Sequence, residues 1–332
     1  MINIKKIINM INKKKILVAK NEEHLQKIIK KEMTKHGNDC DLNHIDVSKV
    51  KDMSYLFYNS KFCGDISGWN TSNVVNMQAM FSHSLFNGDI SKWDTSSVEN
   101  MSAMFKFSKF NRDISQWNVS NVENMSFMFY NSLFNGDISL WDISNVEDIS
   151  SMFSNSLFNG DISQWNTSCV LDMNSVFRQS KFNGDISKWN TSKVESMYNM
   201  FFGSVCNQDL SHWDTSTVTN MMQMFCGSEF NSNIAKWDTS NVKDISYMFT
   251  NSQFNNDISD WDVSNVVDMS FIFSTIDVNG NGYIDSCNTS VPYWAKIEDM
   301  QERKNAIEVY HTKKLLEKSV NEKQVVKNNF KI

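Results

Sequence analysis

The chain has 332 residues, an ordinary hydrophobic content of 41%, one proline and 11 glycines, a composition that excludes a disordered chain or a linker array. The formal net charge of −6 is unevenly spread: residues 1–36 hold ten lysines against three glutamates, residues 296–332 hold nine basic against six acidic residues, and the stretch between carries −16. An acidic body lacks the Lys and Arg that phosphate contacts require, which argues against nucleic acid as its partner.

Residues 1–37 read as a basic arm and a capping helix. Lysines interrupt the apolar residues of Met1–Met10, so no secretory signal is read there, and no run of the chain is long and apolar enough to span a bilayer. The expectation is a chain that is cytoplasmic as synthesised, the alternative being surface display or secretion by a non-standard route. Asn21 followed by Glu22 and Glu23 is a helix start, Leu25, Ile28, Ile29 and Met33 form an apolar stripe, and Gly37 is a stop.

Residues 38–276 are a repeat. Trp69, Trp93, Trp117, Trp141, Trp165, Trp189, Trp213, Trp237 and Trp261 are spaced 24 residues apart without a slip, inside the frame F-N-G-D-I-S-x-W-[ND]-[TVI]-S-x-V-x-x-M-x-x-M-F. Ile45 holds the tryptophan place in a first unit, and the valine row from Val50 to Val266 counts ten units. A fixed period over this length means one coil of backbone stacked on itself. Val98, Met101, Met104 and Phe105 lie at helical spacing, with Ser96 and Glu99 as a capping box. Asp89 to Trp93 reads as a short strand entered from an Asn-Gly turn.

The fold class predicted is therefore an α/β repeat: a right-handed, leucine-rich-repeat-like solenoid of about ten 24-residue coils, with short parallel strands on one side and short helices on the other. Strands stack at ~4.8 Å and helices pack at ~8–10 Å, so such a rod is expected to curve. Phe86, Ile90, Trp93, Val98, Met101, Met104, Phe105 and their equivalents form the expected core. That burial is too small for one coil to fold alone, so the two ends need covers.

Residues 277–293 break the frame. Asp277, Asn279, Asn281, Tyr283, Asp285 and Asn288 fall at positions 1, 3, 5, 7, 9 and 12 of an EF-hand loop, with asparagine where the bidentate glutamate belongs. The segment reads either as a weak calcium site or as a plain Asn-Gly turn that closes the solenoid. Residues 294–332 read as a C-terminal capping helix, carrying Ile297, Met300, Ile307 and Tyr310, and a tail.

Catalytic motifs are missing: the six histidines share no ligand spacing, and no nucleophile elbow, P-loop or dinucleotide fingerprint occurs. The expectation is a protein that is not an enzyme and needs no cofactor apart from that weak calcium. The 20 methionines are mostly repeat positions in the core, and the N-x-S/T patterns at Asn70, Asn118, Asn166 and Asn190 fall out of the frame. The six cysteines follow no metal spacing; Cys206 replaces a repeat phenylalanine, and Cys40 and Cys63 fall on adjacent coils where a bridge is conceivable.

The aspartates from Asp65 to Asp209 recur at one place and would repel when stacked at ~4.8 Å. Either each accepts a local backbone N–H in an Asx-turn, or cations sit between coils.

The frame DISKWDTSSVENMSAMFKFSKFN, repeated over roughly residues 38–276, resembles the BspA-type leucine-rich-repeat surface proteins, the short-repeat family also found among mycoplasma surface lipoproteins. That resemblance implies a right-handed solenoid used in adhesion or protein binding without enzymatic activity. It carries over no individual binding residue.

The functional expectation is a non-enzymatic protein-interaction scaffold, with a calcium-dependent surface adhesin or structural surface protein as the alternative. Specificity is expected where the frame varies. One row beside the tryptophan reads Gly68, Lys92, Gln116, Leu140, Gln164, Lys188, His212, Lys236 and Asp260. A second, past the repeat phenylalanine, reads Tyr58, Ser82, Lys106, Tyr130, Ser154, Arg178 and Phe202, and is expected to be exposed. A protein partner is expected; the sequence does not set the oligomeric state.

Overall fold

A computed structural model describes residues 15–276 and 283–285, and residues 302, 305, 306, 309, 312 and 313 beyond them. The chain opens on strand β1 (Leu17–Val18) and helix α1 (Glu22–His36). Asn21 caps α1 by accepting the His24 N–H on its side-chain oxygen at 3.0 Å, and Gly37 ends it at φ 91°. Strand β2 (Ile45–Asp46) pairs in parallel with β1, Leu17 opposite Ile45. Leu25 and Ile29 of α1 are buried in the same core as the first coil, and Glu32 of α1 pairs with His44 at 3.3 Å.

From there to strand β3 (Ser274–Ile276) the chain is a repeat solenoid whose coils repeat every 24 residues. Nine single-residue parallel bridges run through it from Asp52↔Asn76 to Asp244↔Asp268. β3 then pairs antiparallel with β4 (Tyr283–Asp285). Further on, Glu302, Asn305, Ala306, Val309, Thr312 and Lys313 are helical and Ala306 packs against the core. Ile297, Met300, Ile307 and Tyr310 lie outside the described residues.

The expected short helix in each coil is not there. The N–H groups of Met101, Ala103, Phe105 and Phe107 donate forward to the carbonyls of Asn124, Ser126, Met128 and Tyr130 on the next coil, at 2.7–3.0 Å. The intervening N–H groups of Met104, Lys106 and Ser108 close turns on Met101, Ala103 and Phe105. Ala103 and Phe107 stand at φ 55° and 54°, which a right-handed helix does not admit. Consecutive turns throw Met101, Met104 and Phe105 inward as a helix would, so the spacing was right and the backbone was not.

Stacking explains the choice. A helix satisfies its N–H groups internally and keeps its neighbours ~8–10 Å away. Here the Phe81, Phe105, Phe129 and Phe153 rings stack at 5.8–5.9 Å, a spacing only an open backbone bonded between coils allows. The mismatch expected to curve the rod is thereby removed. The capping box does not form either: Ser96 bonds through N and Oγ to Asp94 Oδ1, and Glu99 N–H reaches back to Val75 of the preceding coil.

The expected strand at Asp89–Trp93 is also a turn. Trp93 N–H closes on the Ile90 carbonyl at 3.1 Å, and Asp89 Oδ1 accepts the Ser91 N–H at 2.9 Å. The pairing row lies instead at Asn100 and its equivalents.

The core is as read from the sequence. Phe86, Ile90, Trp93, Val98, Met101, Met104 and Phe105 are all buried, and so are their equivalents in the neighbouring coils. Two phenylalanine rows stack along the axis, joined within a coil by pairs such as Phe105–Phe110 at 4.1 Å. Each tryptophan adds a bond that a phenylalanine could not make. Its indole N–H donates to a carbonyl of the preceding coil, as Trp141 does to Ile114 at 3.2 Å and Trp165 to Ile138 at 3.1 Å.

Candidate functional site

The aspartate row resolves into Asx-turns. Asp65, Asp89, Asp113, Asp137, Asp161, Asp185 and Asp209 each accept the N–H of the serine two residues on, at 2.9 Å. Hydrogen bonds from Ser163 hold the Asp161 carboxyl below its usual range, although Asp137 and Asp185 push it up. The local bonds outweigh the repulsion, so no cation is needed to explain the row. Among the described residues no group of three or more His, Cys, Asp or Glu is placed to hold a metal ion.

One carboxylate departs from this pattern. Asp172, in the bridge row, is half-buried; desolvation first and Asp148 on the adjacent coil second raise it above the usual range. The thiols of Cys206 and Cys226 are pushed up to about 12 and about 11 by burial, which makes them inert core groups. Cys40 is buried and Cys63 exposed, and the conceivable bridge between them is not formed.

The row beside the tryptophans faces solvent along its whole length. Lys92, Gln116, Leu140, Gln164, Lys188, His212 and Lys236 are all exposed, while the tryptophan that follows each is buried. Leu140 is 81% exposed, the most exposed large apolar side chain among the described residues. His212 and Lys236 line a shallow hollow of about 390 Å³ with Asp209, Ser211, Ser232 and Asn233.

The second row is corrected in part. Ser82 and Ser154 are buried, and Lys106, Tyr130, Arg178 and Phe202 are half-buried. Small residues sink between large ones on the adjoining coils: Ser82 lies between Tyr58 and Lys106, Ser154 between Tyr130 and Arg178.

The repeat family described as "Mycoplasma protein of unknown function, DUF285" matches residues 24–135, 130–206 and 203–309. The chain belongs to this family. The family description assigns no activity, and the three matched segments agree with a tandem-repeat protein. No curated protein and no solved structure matches the chain.

Of the EF-hand-like residues, Asp277, Asn279, Asn281 and Asn288 lie outside the described residues, and Tyr283 and Asp285 stand in β4. An EF-hand loop is entered from a helix, whereas Asp277 follows β3.

Sequence reasoning passed over the aromatic residues at left-handed positions. Tyr55, Phe107 and Phe127 have φ between 54° and 57°, which is uncommon for bulky side chains. Equivalent places hold Ala79, Ala103, Asn131 and Gly203, so the core does not demand a ring there. These rings make a continuous surface chain: Tyr55–Tyr58 at 5.8 Å, Tyr58–His83 at 5.7 Å, His83–Phe107 at 4.6 Å, Phe107–Tyr130 at 5.2 Å and Tyr130–Phe127 at 5.8 Å. The recurrent aromatics of YLFYN and FMFYN were the available signal.

Proposed function

We propose that this chain is a non-enzymatic protein-interaction scaffold of the BspA-type, leucine-rich-repeat-like kind, serving adhesion or the binding of a protein partner. Leu140 carries the reading. A large apolar side chain left 81% exposed, flanked by exposed Gln116 and Gln164 in a row the core does not use, fits a contact with another protein. A rigid stack that fixes seven side chains of four types one coil apart suits recognition of an extended partner surface. The calcium-dependent adhesin is the weaker reading, because β3 takes the place of the helix that enters an EF-hand loop.

A photo-crosslinking residue placed at Leu140 in the full chain, expressed in its own cells, tests this. A discrete adduct is expected at Leu140, reduced when Gln116 and Gln164 are both changed to Glu. Cross-linking no greater than at the exposed Glu229 would refute the scaffold reading of this row. Protease shaving of intact cells, read with an antibody to the chain, separates surface adhesion from an internal partner.

A further inference from the structure

Charge is segregated around the coil as well as along the chain. In the turn segments 53–63, 77–87, 101–111, 125–135, 149–159, 173–183 and 197–207 the charged residues are Lys61, Lys106, Lys109, Arg178 and Lys181, with His83 beside them and no carboxylate. The aspartates and glutamates of the first seven coils occupy the other rows, so these segments form a basic strip on an acidic body.

The same strip is apolar. Past the serine that follows each turn, one row reads Lys61, Leu85, Lys109, Leu133, Leu157 and Lys181, every one exposed. Beside it runs the chain of rings from Tyr55 to Phe127, with Lys106 Nζ 4.5 Å over Phe127 and 5.1 Å over Tyr130. The hollows lined by Glu99, Glu123 and Glu147 and by His212 and Lys236 lie on other rows.

We propose that this strip is a docking face for an anionic lipid surface, on which the solenoid lies side-on. The lysines and Arg178 meet the negative headgroups, Tyr55, Tyr58 and Tyr130 sit at headgroup level, and Leu85, Phe107, Leu133 and Leu157 enter the acyl boundary. Interleaved cations and apolar side chains fit a lipid interface better than a soluble polyanion, which gives the leucines nothing to bury against. The acidic rows, repelled by the same headgroups, set the orientation. No described helix is long and apolar enough to cross a membrane, and the docking proposed here is peripheral.

The test is co-sedimentation of the full chain with vesicles of phosphatidylcholine alone and of phosphatidylcholine with an equal part of phosphatidylglycerol. Binding is expected only to the anionic vesicles, and it falls as salt rises. Lys109→Glu with Lys181→Glu, and separately Leu133→Asn with Leu157→Asn, should each lower the partition coefficient by ~10-fold or more. Lys109→Arg with Lys181→Arg should retain binding. All these positions are exposed, and unchanged melting temperatures confirm that the variants fold. Failure to bind anionic vesicles overturns the proposal. So does binding that both double variants keep, which would place it in the basic residues 1–36. A polyglutamate peptide or single-stranded oligonucleotide that binds the strip while vesicles do not would assign it to a soluble polyanion instead.

Discussion

Replacing Trp141 by alanine tests what holds adjacent coils together. The indole is 3% exposed, its ring lies 6.3 Å from that of Phe129, and its N–H reaches the Ile114 carbonyl of the preceding coil. Removing a buried ring of this size costs about 3–5 kcal/mol, which corresponds to a fall in Tm of about 6–20 °C for a chain with a core of this length. Trp141→Phe separates the packing from the bond. It keeps a six-membered aromatic ring and loses the donor with the smaller ring of the indole, while the Ile114 carbonyl still accepts the Trp117 backbone N–H at 3.1 Å and is not orphaned. That variant should cost about 1–3 kcal/mol, the bond and the small cavity together. Thermal melts of the three proteins, with limited proteolysis read around residues 130–150, give the comparison. An alanine variant melting with the parent would refute the claim that the tryptophan row is core. A phenylalanine variant as weak as alanine would show that the inter-coil bond, rather than the ring, is the larger contribution.

Deleting residues 1–37 removes β1 and α1, uncovering β2 and the apolar face at Leu42, Ile45 and Val50; aggregation in light scattering is expected, and a soluble monomer with the parent's Tm would show that α1 is not a cap. Asp172→Asn should raise stability at neutral pH. The folded carboxyl titrates above its ordinary value, so ionising it opposes folding once the pH passes that raised value, and the variant's advantage should vanish as the pH falls below the unfolded value near 3.8; an equal advantage at all pH would refute the assignment. Calorimetric titration with millimolar calcium should give no heat above dilution, since Asp277 and Asp285 are the only carboxylates of the loop frame; heat that disappears in Asp277→Ala would restore the calcium reading.

The period, the core residues and the N-terminal helix were legible because each rests on a signal with one physical meaning. A tryptophan every 24 residues demands a stack, and Asn21, the Leu25–Met33 stripe and Gly37 together demand a helix. The backbone between Val98 and Ser108 was not legible, because helices and successive turns share the i, i+3, i+7 pattern. What decides between them is where the Met101 and Ala103 N–H groups go, and that depends on the next coil. Exposure of the Leu140 row followed from the variation beside an invariant tryptophan. Burial of Ser82 and Ser154 did not, since it is set by the larger side chains one coil to either side. The basic strip was hidden by a net charge summed along the chain rather than around the coil.

The forward-pointing bonds of the turn segments give the stack a direction. Met101, Ala103, Phe105 and Phe107 all donate toward the C-terminal end, and the carbonyls of Asn100, Ser102, Met104 and Lys106 accept from the N-terminal side. Along this row one end of the rod offers acceptors and the other donors, while the bonds from Glu99 to Val75 and from each indole to the preceding coil run the opposite way. A contact between copies that continues this row is therefore head-to-tail. A head-to-tail contact that does not close into a ring grows into a filament. The N-terminal cover of β1 and α1 thus does more than shield apolar surface: it closes one end of a structure whose own backbone chemistry specifies no stopping point.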